Sequence, residues 1–212
     1  MSQYDLEEQE QLAALRAWWR DNGTLVTATI AALLLAFAGW RGWNYYQSSQ
    51  SAQASTLYES VQQAARTGNL KLVQESAGAV IEHYPRTAYA AMAALVSAKA
   101  HFQGGDLKTA RAQLAWVAEN ARDDGLRDIA RLRLASVLLD EKAYDDALKA
   151  LDAAHQAAFD ALFLAAKGDV LVAQGKKDAA REAYKAALDK AGADATLRGS
   201  VQLRLDALGS AK

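Results

Sequence analysis

The chain of 212 residues contains no cysteine and a single proline, Pro85, and it carries almost no net charge. The absence of cysteine excludes a thiol nucleophile, a disulfide framework and thiolate metal sites. Lysine and arginine total 24 against 25 acidic residues, so the basic excess typical of nucleic-acid-binding proteins is missing and we expect no nucleic-acid partner. Because alanine is the best helix former and proline breaks helices, this composition favours an all-α fold.

Motifs of catalysis and metal binding are also missing. The three histidines, His83, His101 and His155, lie on separate predicted helices and form neither an i,i+4 pair nor an H-E-x-x-H motif. No G-x-S-x-G, Walker or G-x-G-x-x-G motif occurs, and Gly104-Gly105-Asp106 lacks the Lys-Ser/Thr of a phosphate loop. We therefore expect a binding protein rather than an enzyme, with no catalytic residue, no metal and no cofactor.

The clearest positive feature is an uncharged run from Thr24 to Trp40. At about 1.5 Å per residue, this run covers roughly 26 Å of helix, which can just cross a hydrocarbon core of about 30 Å. Gly42 and Trp43 can extend it past Arg41, whose long side chain can reach the headgroups. Aromatic residues flank it as two membrane–water interfaces favour: Trp18, Trp19, Trp40, Trp43, Tyr45 and Tyr46. The sequence predicts a transmembrane anchor at 23–46, surrounded by membrane lipid.

Two alternatives compete with an anchor. One is a buried helix of a soluble domain, against which the four bracketing tryptophans argue. The other is a cleaved signal peptide, because Ala36-Phe37-Ala38 before Gly39 fits the small-x-small cleavage pattern. A signal peptide begins with a short basic region, whereas the stretch ahead of this run is long and acidic. An uncleaved anchor is therefore the favoured interpretation.

Basic residues near the span indicate its direction. Arg16 and Arg20 precede it, whereas Arg41 is followed by no basic residue until Arg66. This favours a cytoplasmic segment at 1–22 and, in a bacterium, a periplasmic C-terminal part. Within that first segment, the apolar spacing of 6–19 indicates an interfacial helix or a docking peptide for a partner.

The span carries small residues at four-residue spacing. A neighbouring helix can approach such a face closely, so the stripe predicts helix packing in the membrane. An alanine-rich chain also produces such spacing without any packing role, and both interpretations stay open. The stripe consists of Thr24, Ala28, Ala32 and Ala36.

The polar stretch at 47–54 indicates a linker or a continuation of the helix, and 55–212 shows helical apolar periodicity without a strand pattern. Turn signals divide this domain into helix-sized pieces, at 67–69, 84–86, 103–106, 123–125, 174–176 and 191–194. The pieces repeat with a period in the mid-thirties. The second helices of successive pairs superpose as Ala110, Leu114, Val117; Ala147, Leu151, Ala154; and Ala180, Tyr184, Ala187.

This spacing resembles the tetratricopeptide repeat, which alternates large and small residues on two paired helices. The last pair matches best, with Leu164, Gly168 and Leu171 ahead of Ala180, Tyr184 and Ala187. Arg131 stands where a large apolar residue is usual, so the pair at 129–155 is degenerate, and the pairs at 55–84 and 92–121 match more loosely. The segment 196–208 is predicted to close the stack as a terminal capping helix.

Helical repeats bind peptides in the groove formed by the first helix of each pair. The repeat register turns ten residues toward that groove. For each of them the alternative interpretation is an ordinary packing contact in the core. They are Met92, Leu95, Lys99, Phe102, Ile129, Leu132, Leu139, Leu162, Asp169 and Val172. A groove this apolar suits unfolded or hydrophobic segments.

The whole layout resembles the YfgM family of ancillary SecYEG translocon subunits. The specific residues are Trp19-Arg20-Asp21-Asn22-Gly23 before the span and Gly39-Trp40-Arg41-Gly42-Trp43-Asn44 at its end. The resemblance implies a single-pass protein of the inner membrane with a cytoplasmic N-terminus and a periplasmic domain. It implies three partners: the SecYEG translocon, a membrane-anchored periplasmic chaperone of the prolyl-isomerase type, and exported polypeptides. The alternative function is an envelope scaffold or stress-signalling adaptor that binds no clients.

Overall fold

The computed structural model describes residues 3–209, with side chains from Glu10 onward, and this part of the chain is helical with no strand. Residues 1–2 and 210–212, the outer ends of the predicted segments 1–22 and 55–212, lie outside the described residues. The helices in chain order are α1 (Gln3–Arg66), α2 (Leu70–His83), α3 (Ala88–Gln103), α4 (Leu107–Asn120), α5 (Asp124–Asp140), α6 (Tyr144–Leu151), α7 (Asp160–Ala173), α8 (Lys177–Lys190) and α9 (Ala195–Ala207). A 3-10 turn, Ala157–Phe159, precedes α7. The all-α prediction is confirmed.

The chain divides into two compact units, residues 1–49 and 50–212. The first unit is the greater part of α1, and it contains a stretch long and apolar enough to cross a membrane. Only 6% of that stretch is buried, and its large side chains are exposed, with Leu35 at 74%. A core helix of a soluble domain buries such side chains. The exposure therefore argues against a buried helix of a soluble domain, the first alternative to a membrane anchor.

The helix α1 is continuous from the predicted interfacial stretch through the span and into the second unit. Residues 47–54 are helical. The structure therefore continues α1 through this stretch and has no separate linker there. The reason lies in packing, because Ala54, Val61 and Ala64 are already buried. The last turns of α1 thus serve as the first helix of the first pair, with α2 as its second.

Local sequence explains where the short helices begin. An N-cap side chain accepts a hydrogen bond from a backbone N–H of the first turn, which that turn cannot satisfy itself. Asn69 accepts from the N–H of Leu72 at 3.1 Å, and Asp106 accepts from that of Thr109 at 3.0 Å. Thr87, Asp123 and Asp194 cap α3, α5 and α9 in the same way.

The turn inside each helix pair has one residue in the left-handed conformation. Gly68, Gly105 and Gly175 have φ of 69°, 81° and 77°, a conformation that glycine adopts without a steric penalty. In the third pair the same position is Lys142, with φ of 59°, which is the one positive-φ residue other than glycine in the described chain. Its turn keeps the same hydrogen bonds, since the N–H of Ala143 donates to the carbonyl of Leu138 at 2.8 Å. The degenerate repeat therefore keeps the turn without the glycine.

The core runs along the second unit as a chain of four clusters that share residues at their borders. The first joins the end of α1 with α2 and α3, and the second joins α3, α4 and α5. The third joins α5, α6 and α7, and the fourth joins α7, α8 and α9. Trp116, Leu134 and Leu148 each pack against two successive clusters. Among the described residues, each core cluster thus joins one helix pair to the next, as in a repeat stack.

The predicted terminal helix is α9. It begins after Asp194, which accepts a hydrogen bond from the N–H of Leu197 at 2.9 Å. Val201 is fully buried against α7 and α8, and Leu197, Leu205 and Leu208 pack around it. Because the opposite face of α9 is polar apart from the exposed Leu203, this helix covers the apolar end of the stack, which a repeat protein requires for solubility.

Candidate peptide-binding groove

Two adjoining cavities lie along α3, α5 and α7, the first helices of three repeat pairs. One cavity, of about 300 Å³, is lined by Ala98, Lys99 and Phe102 of α3, Leu114 of α4, and Arg133, Ser136 and Val137 of α5. A second cavity, of about 250 Å³, is lined by Leu132, Arg133 and Ser136 of α5, Leu162, Ala165, Ala166 and Asp169 of α7, and Leu197 and Arg204 of α9. Arg133 and Ser136 belong to both cavities. We call the combined surface the groove, with an α3 cavity and an α7 cavity.

Half of the ten residues assigned to the groove from sequence line it in the structure. They are Lys99, Phe102, Leu132, Leu162 and Asp169. Phe102 and Leu162 are 39% and 40% exposed, although both are large and apolar. An exposed apolar side chain in a cavity is available to a ligand, which makes these two residues the candidate anchors of the groove.

The other five residues lie elsewhere. Leu95 is buried in the core cluster that α3, α4 and α5 form, and Ile129 packs against the same cluster. Leu139 packs against the next cluster, and Met92 is half-buried without lining either cavity. Val172 is exposed on α7, outside both cavities. The structure thus places Leu95, Ile129 and Leu139 in core packing rather than in the groove.

Three polar residues of the groove were not assigned from sequence: Arg133, Ser136 and Arg204. Arg133 directly follows Leu132, and both residues line the α7 cavity. Arg204 belongs to the terminal helix, whose contribution to the groove depends on how α9 packs against α7. No local motif marks that packing.

Asp169 is tied to two other helices. The Tyr184 hydroxyl of α8 donates to its Oδ1 at 2.7 Å, and Arg204 Nη1 of α9 donates to its Oδ2 at 2.9 Å. Burial, followed by the hydrogen bond to Asp169, raises the pKa of Tyr184 well above its usual value. Tyr184 lies directly against Gly168, where a Cβ would come within 2.5 Å of its Cδ1. This network sets the position of α9 at the end of the groove.

Each of the three histidines contacts a neighbouring side chain of the repeat domain. Nδ1 of the buried His101 lies 3.1 Å from Oδ2 of Asp106, the N-cap of α4. Hydrogen bonds from Thr109 lower the pKa of Asp106. The His155 ring stacks on Phe163 with centroids 3.9 Å apart, and His83 contacts Tyr84 edge-on. Within residues 10–209, no group of three histidine or acidic side chains is arranged to hold a metal ion.

The predicted membrane-packing stripe lies on α1 in the first unit. Thr24, Ala28, Ala32 and Ala36 are all exposed along the apolar stretch. Threonine hydroxyls within the stretch donate to the helix backbone, for example Thr27 Oγ1 to the carbonyl of Gly23 at 2.8 Å. Such bonds satisfy a hydroxyl in an apolar medium. Helix–helix packing at this stripe stays a prediction.

Comparison with known proteins gives consistent matches along almost the whole chain. A family model described as a tetratricopeptide repeat-like domain matches residues 16–210. The ancillary SecYEG translocon subunit of Neisseria gonorrhoeae is 33% identical over 207 residues, which is 96% of this chain and 98% of that protein. The proteins of the same name from Haemophilus influenzae and Escherichia coli are 32% and 27% identical, over 87% and 95% of this chain and 90% and 96% of their own lengths.

Proposed function

Because the chain belongs to the family of ancillary SecYEG translocon subunits, we propose that it is a non-enzymatic, membrane-anchored protein-binding module that associates with the SecYEG translocon. The observation that carries this proposal is the extent of the match. Identity of 33% covers 96% of the chain, which includes both the apolar helix and the repeat stack. A shared repeat fold alone would support binding in general, whereas a match of both parts supports the same place of action.

The proposed anchor is the apolar stretch of α1, with residues 1–22 in the cytoplasm and the repeat domain in the periplasm. The exposed leucines of this stretch support the anchor, because lipid is the medium in which they are stable. The excess of arginine before the span supports the direction. A domain placed in this way stands beside the exit of the translocon.

The proposed clients are newly exported polypeptides, which the groove holds through apolar side chains. Phe102 and Leu162 support this, since unfolded chains expose apolar residues that folded proteins bury. In this proposal a membrane-anchored periplasmic chaperone of the prolyl-isomerase type works beside the domain. Handing clients to such a partner requires binding without chemistry, which a repeat groove provides.

Gentle detergent extraction tests the association. We expect the tagged full-length chain to co-purify with the translocon subunits and with one membrane-anchored chaperone. Loss of the translocon from the extract, under conditions that keep the translocon itself assembled, would reject the proposed place of action.

Site-specific photo-crosslinking tests client binding. A photo-reactive residue at Phe102, in the groove, should capture many different nascent exported chains. The matched control is Glu182, which is exposed on α8 and lines neither cavity, and a probe there should capture few. Capture of a single stable protein and no nascent chains at Phe102 would favour the envelope scaffold or signalling adaptor instead.

A further inference from the structure

The lining of the α3 cavity combines apolar side chains with two positive charges. Its large apolar residues are Phe102, Leu114 and Val137, and its cations are Lys99 and Arg133. Among the lining residues of this cavity there is no acidic side chain. In the α7 cavity the one acidic residue, Asp169, is already paired with Arg204 at 2.9 Å. The groove as a whole therefore has an excess of positive charge.

Several other cations of the second unit are paired with carboxylates of their own or a neighbouring helix. Arg111 pairs with Glu141 at 2.9 Å, and Arg131 pairs with the buried Asp128 at 3.2 Å. Arg181, Lys167 and Lys190 also have carboxylate partners on the described residues. Lys99 and Arg133 have neither an ion pair nor a side-chain hydrogen bond within that part of the chain. The groove thus presents two charges that no described residue pairs with.

We propose that the groove selects peptide segments in which an acidic side chain lies between two apolar side chains. Arg133 belongs to both cavities, so a carboxylate bound there has one apolar cavity on each side of it. Lys99 reaches the same carboxylate, or a second one, from the α3 side. This inference rests on the proposed binding of exported polypeptides and specifies which of their segments are held.

The physical argument is one of charge complementarity. A purely apolar segment would partly exclude water from Lys99 and Arg133 without compensating their charge, which costs free energy. A carboxylate restores that interaction, and an arginine can bind it through two parallel hydrogen bonds. A basic segment would be repelled. The apolar cavities supply affinity, and the two cations supply the choice among apolar segments.

The test uses the full-length chain in mild detergent and three fluorescent synthetic peptides. The peptides share two leucine-rich ends and differ at the centre, which is glutamate, glutamine or lysine. Fluorescence anisotropy measures their dissociation constants. We expect the glutamate peptide to bind about three- to tenfold more tightly than the glutamine peptide at low salt, as two partly screened ion pairs provide. The lysine peptide should bind most weakly, and these differences should shrink in high salt.

Variants assign the preference to the two cations. In the double variant Lys99→Gln/Arg133→Gln, the glutamate and glutamine peptides should bind equally, and the glutamine peptide should bind more tightly than to the wild type because no charge is then desolvated. The matched control, Lys149→Gln/Arg122→Gln, changes two exposed cations outside the groove and should keep the preference. Phe102→Ala should weaken both peptides by about the same factor.

Three outcomes would overturn the inference: no preference in the wild type, a preference that survives the double variant, or no binding of any peptide. The first two leave the wider proposal intact, and the third also counts against client binding in the groove, while co-extraction with the translocon is measured separately. A double variant that loses the preference and still co-purifies with the translocon supports both. Loss of the translocon with an intact preference would reject the place of action and retain the selectivity of the groove.

Discussion

A close crossing of α7 and α8 depends on two residues, Gly168 and Tyr184. Substitution Gly168→Ala adds a Cβ that would come within 2.5 Å of Tyr184 Cδ1. The ring cannot easily move away, because Tyr184 is 2% exposed and its hydroxyl is bound to Asp169. Overpacking of this kind costs about 1–3 kcal/mol and outweighs the better helix propensity of alanine. We expect a lower midpoint of thermal unfolding, measured by circular dichroism.

The control for this change is Gly199→Ala on α9, where a Cβ meets no atom within 4 Å. There the gain in helix propensity, about 0.5–1 kcal/mol, should raise the midpoint. If Gly168→Ala raised the midpoint as much as Gly199→Ala does, the close crossing would not constrain the fold.

Tyr184 also makes the stability of the stack depend on pH in the alkaline range. Its pKa is higher in the folded chain than the ordinary value of 10.0, because burial disfavours the phenolate. The folded state therefore holds the proton more firmly than the unfolded state. The corresponding stability is complete below pH 10 and is lost as the pH rises beyond it.

Substitution Tyr184→Phe isolates this effect. At pH 7 we expect a loss of about 1–3 kcal/mol, because the hydrogen bond to a charged acceptor is removed. Above pH 10 the difference from the wild type should narrow, since the variant has no phenol to ionise. Urea unfolding at pH 7, 9 and 10.5 measures both. A difference that stays constant across this range would show that Tyr184 ionises equally in both states.

At the scale of the element, the third helix pair keeps its turn with an unfavourable residue. Lys142 has φ of 59°, where the other three pairs have glycine. A side chain in this conformation costs about 1 kcal/mol, so Lys142→Gly should stabilise the chain by about 0.5–1 kcal/mol. Lys142→Ala is the matched control, because it removes the charge and keeps the Cβ. Equal midpoints for the two variants would assign any gain to the lost charge.

The helices and turns were largely predictable from sequence, because each depends on residues close in the chain. Glycine at the turns, aspartate or asparagine at the N-caps and alanine at fixed offsets act locally. The continuity of α1 through 47–54 was not predictable from sequence, since glutamine and serine fit a helix or a linker equally well. The burial of Ala54 and Val61 against α2 and α3 decides that choice.

Arg131 shows why a departure from a repeat pattern is hard to interpret from sequence. It occupies an apolar position of the repeat, yet it is part of a specific network in the structure. Its Nη1 donates to the carbonyl of Ala154 at 2.6 Å and to Asp128 Oδ1 at 3.2 Å. Asp128 in turn accepts from the N–H of Gln156 at 3.0 Å. The pair at 129–155 therefore replaces an apolar contact by hydrogen bonds to the loop before α7, a partner that lies more than twenty residues away.

At the scale of the whole molecule, the groove was half predictable. Helices α3, α5 and α7 contribute five of the predicted residues to the two cavities, because periodicity identifies the helices and the repeat identifies their order. Which residue of a helix reaches the surface depends on how closely its neighbours pack. Leu95 and Lys99 share one face of α3, yet only Lys99 lines the α3 cavity, since α4 and α5 enclose Leu95. Arg204 depends on the packing of α9 and has no sequence signal.

The direction of the span is the property of the whole molecule on which the proposed function depends most. Since the chain contains no cysteine, one introduced cysteine is the single thiol that a maleimide can label. Gln11 and Ala158 are exposed, one before the apolar stretch and one in the repeat domain. With the outer membrane opened, an impermeant maleimide should label Ala158→Cys in intact spheroplasts and should label Gln11→Cys only after the inner membrane is permeabilised. The reverse pattern would place the groove in the cytoplasm, where it could not meet exported chains.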